Sequence, residues 1–63
     1  MYAAYVRHFR VMAALAEKEG TRTSRGAARA YSEWADRLDQ GEDPQDLPYL
    51  AQVCMSVVEE LEV

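Results

Sequence analysis

The hydrophobic positions recur at helical spacing through most of the chain, in three stretches separated by turns. Gly20 and Gly41 each follow a stretch whose last turn is polar. Glycine just past a helix is a common stop, because it adopts the left-handed conformation at little cost. No stretch alternates with the period of two that is typical of a strand. The sequence therefore predicts an all-α protein, a compact three-helix bundle in one domain over 1–63, with helices at about 2–19, 24–40 and 47–62.

Polar residues at the two joints predict where the helices begin. Thr23 or Ser24 is expected to cap the second helix, since a hydroxyl there can accept a hydrogen bond from a first-turn amide. Asp46 is expected to cap the third helix, with Pro48 in its first turn, where a helix tolerates proline.

On the apolar side of the second helix, Trp34 is the expected core anchor, because large aromatic side chains dominate small cores.

The third helix carries apolar side chains around too much of its circumference for one face. At 100° per residue they cover roughly 200°, whereas a surface helix usually shows an apolar stripe of about 100°. The first helix adds a small apolar strip outside its core face. This excess indicates a second chain, either a copy of the protein itself or a target, and we predict self-association as a symmetric dimer, the commonest closed assembly. The expected interface comprises Val11, Leu15, Leu50, Val53, Cys54, Val57, Val58 and Leu61.

The size and composition of the chain agree with this prediction. A chain of 63 residues buries too little surface to be more than marginally stable alone. Its single cysteine excludes an internal disulfide, which leaves packing and oligomerisation. A hydrophobic content of 49% is too high for a disordered chain. Neither a run of about 18 apolar residues nor a signal-peptide pattern occurs, so we expect a cytoplasmic protein without membrane contact.

The charges are divided unevenly between the two halves of the chain. The net charge is −4, from +4 over residues 1–32 and −8 over residues 33–63. Short joints favour antiparallel neighbours, so the acidic end of the third helix is expected beside Lys18, Arg22 and Arg25 at the first joint. The opposite end carries an acidic pole with only Arg37 expected nearby. This pole is either a solvated turn or a docking patch for a basic protein surface, and it comprises Asp36, Asp39, Glu42, Asp43 and Asp46.

No pattern of residues predicts catalysis or ligand chemistry. His8 is the only histidine, and no serine or cysteine is placed to act with it as a nucleophile. Cys54 lies in the most apolar part of the third helix, where a cysteine behaves as a small hydrophobic residue. The acidic residues around the second joint have the wrong offsets for a calcium loop. We therefore expect no enzyme activity, and no catalytic, cofactor-binding or metal-binding residues.

A helix-turn-helix protein is the alternative interpretation of the first joint. Arg22, Arg25 and Arg29 could form the contacts of a recognition helix with DNA. Against this, Gly26 would stand inside that helix, and Glu33 is spaced to pair with an arginine on either side. Nucleic-acid-binding modules also tend to be basic, whereas this chain has a pI near 4.8.

These observations together predict a small non-enzymatic regulator or inhibitor that binds a partner protein stoichiometrically and occludes it. The partner is expected to present a basic site, and the regulator is expected to be a homodimer. Proteins of this size, acidity and helical content include phage and mobile-element inhibitors of the anti-CRISPR and anti-activator types. The alternative is a small DNA-binding transcriptional regulator that uses the basic start of the second helix.

Overall fold

The computed structural model describes residues 2–61 and confirms the predicted all-α three-helix bundle. The three helices are joined by one direct turn and by one connection that contains a short 3₁₀ turn. The described part of the chain measures 31 × 24 × 18 Å along its principal axes. The elements are α1 (Ala3–Glu19), α2 (Arg22–Asp39), the 3₁₀ turn (Pro44–Asp46) and α3 (Tyr49–Leu61).

The joint between α1 and α2 occupies two residues. Gly20 ends α1 with a φ of 74°, the left-handed conformation that was predicted there. The predicted cap of α2 at Thr23 or Ser24 is wrong, because Thr21 is the N-cap. The hydroxyl of Thr21 accepts a hydrogen bond from the Ser24 amide at 3.0 Å, and the Ser24 hydroxyl accepts one from the Thr21 amide at 2.9 Å. This reciprocal box moves the start of α2 back to Arg22.

The connection from α2 to α3 is held by its own hydrogen bonds. The Asp43 carboxylate accepts a bond from the Gln45 amide at 2.9 Å and caps the 3₁₀ turn. The Gln52 side-chain amide donates to the carbonyl groups of Pro44 and Leu47. The predictions that Asp46 caps the third helix and that Pro48 lies in its first turn are therefore wrong, since the chain makes an extra turn there and α3 begins at Tyr49.

One cluster of buried side chains from all three helices forms the core. Phe9 is fully buried at the centre, with its ring centroid 5.5 Å from that of Trp34 and 6.3 Å from that of Tyr31. The predicted role of Trp34 as a core anchor is confirmed, because the residue is 8% exposed. Small residues in the cluster allow the helices to approach closely. Its buried members are Phe9, Trp34, Ala35, Leu38, Leu47, Ala51 and Met55.

The end of α3 lies beside the start of α1. The Tyr5 hydroxyl donates a hydrogen bond to the Glu59 carboxylate, which brings the first turn of α1 next to the last turns of α3. The prediction that α3 ends beside the first joint is therefore wrong. Because Ala51 and Met55 pack into the cluster around Phe9, α3 is held over that part of the α1–α2 pair and does not extend along it.

Candidate protein-binding surface

A line of exposed apolar side chains runs along the outer face of α3. We call this line the α3 stripe, and it consists of Leu50, Val53, Val57 and Leu61, which are 66%, 44%, 44% and 75% exposed. Their spacing of three, four and four residues keeps them within about 80° of the helix circumference. Tyr49, at 79% exposed, lies beside the start of the stripe and was missed by the sequence prediction.

The apolar arc predicted on the third helix is divided between two roles. Val58 is 6% exposed and belongs to the interior, together with Ala51 and Met55. Cys54 is half-buried and packs against the core. These two predicted interface residues are thus largely used within one chain, because α3 buries about half of its arc against α1 and α2. The four residues of the α3 stripe remain uncovered.

The predicted strip on α1 lies on a different surface from the α3 stripe. Val11 and Leu15 are 51% and 57% exposed, as the prediction requires. Leu15 lines a cleft of about 390 Å³ whose walls come from α1, α2 and their joint. Met12 and Tyr31 form part of this cleft and remain half-buried, because α3 does not cover this end of the α1–α2 pair.

The arginines proposed as nucleic-acid contacts all lie on the surface of α2. Arg22, Arg25 and Arg29 are exposed, and none of them forms an ion pair within residues 2–61. The predicted pairing of Glu33 with its neighbouring arginines does not occur either. Arg37 instead pairs with Glu42, beyond the end of α2. The basic face at the start of α2 is therefore not neutralised by direct contacts among the described residues.

The acidic pole is paired internally more than the sequence predicted. The Arg10 guanidinium lies 3.3 Å from the Asp36 carboxylate and 3.9 Å from that of Asp39. The prediction that only Arg37 lies near the pole is therefore wrong, since the antiparallel α1 brings Arg10 to the same end of the bundle. The side chains of Arg10, Asp36 and Asp39 are 50% or more exposed, so these pairs contribute little to stability.

The rest of the acidic pole is fixed by a salt bridge and by turn contacts. Arg37 donates hydrogen bonds to both carboxylate oxygens of Glu42. This contact raises the pKa of Arg37 and lowers the pKa of the Glu42 carboxyl. Asp43 caps the 3₁₀ turn, and Asp46 lies within that turn. The pole is thus an ordered surface whose five acids exceed its two arginines.

Cys54 is half-buried on α3. Burial raises the pKa of the Cys54 thiol, which disfavours the nucleophilic thiolate. Within residues 2–61 no three His, Cys, Asp or Glu side chains come together in a way that could hold a metal ion. None of the helices in that range is both long and apolar enough to span a bilayer.

Comparison with known proteins gives no match. No family model matches the sequence, and no curated protein or solved structure matches it.

Proposed function

We propose that this protein is a non-enzymatic regulator that acts by stoichiometric association with other protein chains, and that the α3 stripe drives that association. The observation that supports the proposal is the exposure of four large apolar side chains in one unbroken line. Contiguous apolar surface on a small protein is typical of an interaction site, whereas scattered apolar residues are not. A bound regulator of this kind inhibits its partner by occlusion.

The charge of the chain favours a partner with a basic surface. The net charge is −4, and the acidic pole keeps more carboxylates than arginines even after its internal ion pairs are counted. Complementary charge accelerates encounter and selects among partners more than it adds affinity. We therefore propose that apolar contact supplies the affinity, while the acidic pole directs the approach.

Replacing Val57 with glutamate tests the role of the α3 stripe. A partner that covers the exposed part of Val57 would have to desolvate the introduced carboxylate as well as lose the apolar contact, so the substitution should weaken partner binding by about tenfold or more. Tagged wild-type and Val57→Glu proteins would be used to purify partners from the native host, and the affinity of each identified partner would be measured by calorimetry. Far-UV circular dichroism should show the same helicity in both proteins, because Val57 is 44% exposed.

The matched control for that experiment is Ser56→Glu. Ser56 is exposed on the same helix and receives the same change of charge, but it lies outside the α3 stripe. The control should capture the same partners as the wild type. Equal partner affinity for all three proteins would contradict the proposal.

Binding of DNA is a second candidate function, and the unpaired arginines on α2 favour it. Arg22, Arg25 and Arg29 are spaced along one exposed face of a helix, as phosphate-binding side chains often are. We expect the net negative charge to prevail, so that a labelled duplex shows no mobility shift at about 50 mM salt. A shift that weakens steeply as the salt concentration rises would instead support the DNA-binding function.

A further inference from the structure

The α3 stripe has a nearly symmetric order of side chains along the helix. From either end it presents leucine, valine, valine and leucine, at Leu50, Val53, Val57 and Leu61. A two-fold axis near residue 55 would bring Val53 of one copy to Val57 of the other, and Leu50 to Leu61. We propose that the occupant of the α3 stripe is a second copy of this chain, and that the two α3 helices pair antiparallel across that axis. This inference rests on the proposed role of the α3 stripe in protein association.

The width of the α3 stripe favours a helix as the occupant. A stripe of about 80° is closer to the narrow seam between two paired helices than to the wider face that packs on a core. Valines at the centre allow the two helix axes to approach, and the larger leucines fill the space toward both ends. In a two-fold interface each contact occurs twice. The two valines at the centre of the α3 stripe and the two leucines at its ends supply the matching pairs for those repeated contacts.

The helix dipole of α3 favours the antiparallel orientation of the pair. Glu59 and Glu60 lie near the C-terminal end, and no acidic residue lies in the first turn of the helix. Glu60 borders the α3 stripe and is exposed, whereas Glu59 accepts the bond from Tyr5. In a parallel pair these acidic ends would face one another. In an antiparallel pair, Glu60 approaches the N-terminal end of the partner helix, where the helix dipole stabilises a negative charge. Asp46 lies in the turn just before that end, so the dipole acts there against one nearby carboxylate.

The extent of the α3 stripe indicates a concentration-dependent dimer. Its span from Leu50 to Leu61 is about 17 Å at 1.5 Å per residue. A standard interface covers about 800 Å² on each partner. That area would be about a sixth of the 4666 Å² that this chain exposes in total. One pair of short helices covers less than the standard area, so association should become complete only at high protein concentration. Because the pairing is weak, a basic partner that first approaches the acidic pole can displace the second copy and bind the α3 stripe itself.

Two substitutions on the α3 stripe test both the occupant and the orientation. Val57→Glu and Val53→Lys should each weaken self-association by about tenfold or more, because each places an unpaired charge in the apolar seam. An equimolar mixture of the two variants should form a heterodimer. In the antiparallel pair the introduced carboxylate faces the introduced ammonium, and the remaining two valines still meet. Ser56→Glu, with its added charge outside the α3 stripe, should dimerise like the wild type.

Sedimentation equilibrium and native mass spectrometry, up to about 1 mM protein, would measure the dimer formed from the 7.2 kDa chain. A wild-type protein that stays monomeric over this range would overturn the inference. Loss of host-partner capture by Val57→Glu would still uphold the proposed function in that case. A wild-type dimer without a heterodimer in the mixture would overturn the antiparallel arrangement.

Discussion

Replacing Phe9 with alanine is expected to remove a large part of the free energy of unfolding at room temperature. Phe9 is fully buried between the aromatic side chains of α2, and removal of a buried phenylalanine typically costs about 3–5 kcal/mol. The free energy of unfolding of a chain this size is itself only about 3–9 kcal/mol. The loss therefore amounts to between about a third and all of the stability of the protein.

Urea denaturation followed by far-UV circular dichroism would measure this loss in dilute protein. Val11→Ala is the matched control, because Val11 lies on the same helix with half of its surface exposed. That variant should change the free energy of unfolding by less than about 0.5 kcal/mol. A Phe9→Ala protein that unfolds at the same urea concentration as the control would contradict the central position of this ring.

The second large effect is expected from Ala35→Leu. Ala35 is completely buried in the core cluster, where its small side chain lets the helices pack closely. Three additional heavy atoms must displace neighbouring side chains, and such overpacking typically costs about 1–3 kcal/mol. Thermal unfolding should therefore occur at a clearly lower temperature than in the wild type.

Ala14→Leu provides the comparison for that substitution. Ala14 is exposed on α1, so the same increase in volume extends into solvent. We expect its melting temperature to stay close to that of the wild type, since leucine and alanine both favour helix. Equal melting temperatures for Ala35→Leu and Ala14→Leu would show that the helices have room between them at Ala35.

Local signals in the sequence predicted the helices well and their capping less well. Gly20 and Gly41 both have positive φ values, as their positions after helical stretches indicated. The N-cap at Thr21 was missed because the usual capping box has glutamate or glutamine three residues later, and here that position is Ser24. Ser24 can fill the role because its own hydroxyl reaches back to the Thr21 amide.

Long-range placement could not be predicted from the periodicity of the helices. The pattern identified α3 as too apolar for one face, but it could not separate buried Val58 from exposed Val57. That division depends on the angle at which α3 meets the other helices. The pairing of Arg10 with Asp36 was missed for the same reason, since the two residues are 26 positions apart and meet only through the antiparallel packing.

The two-residue joint at Gly20 and Thr21 also has a consequence for the order of folding. The most extensive packing connects helices that are adjacent in sequence, so α1 and α2 can find each other by closing a very short loop. The bond between Tyr5 and Glu59 spans 54 positions and requires a much longer closure. Short loops cost less chain entropy, and local contacts are associated with rapid folding. We therefore expect the α1–α2 hairpin to nucleate the fold and the docking of α3 to complete it.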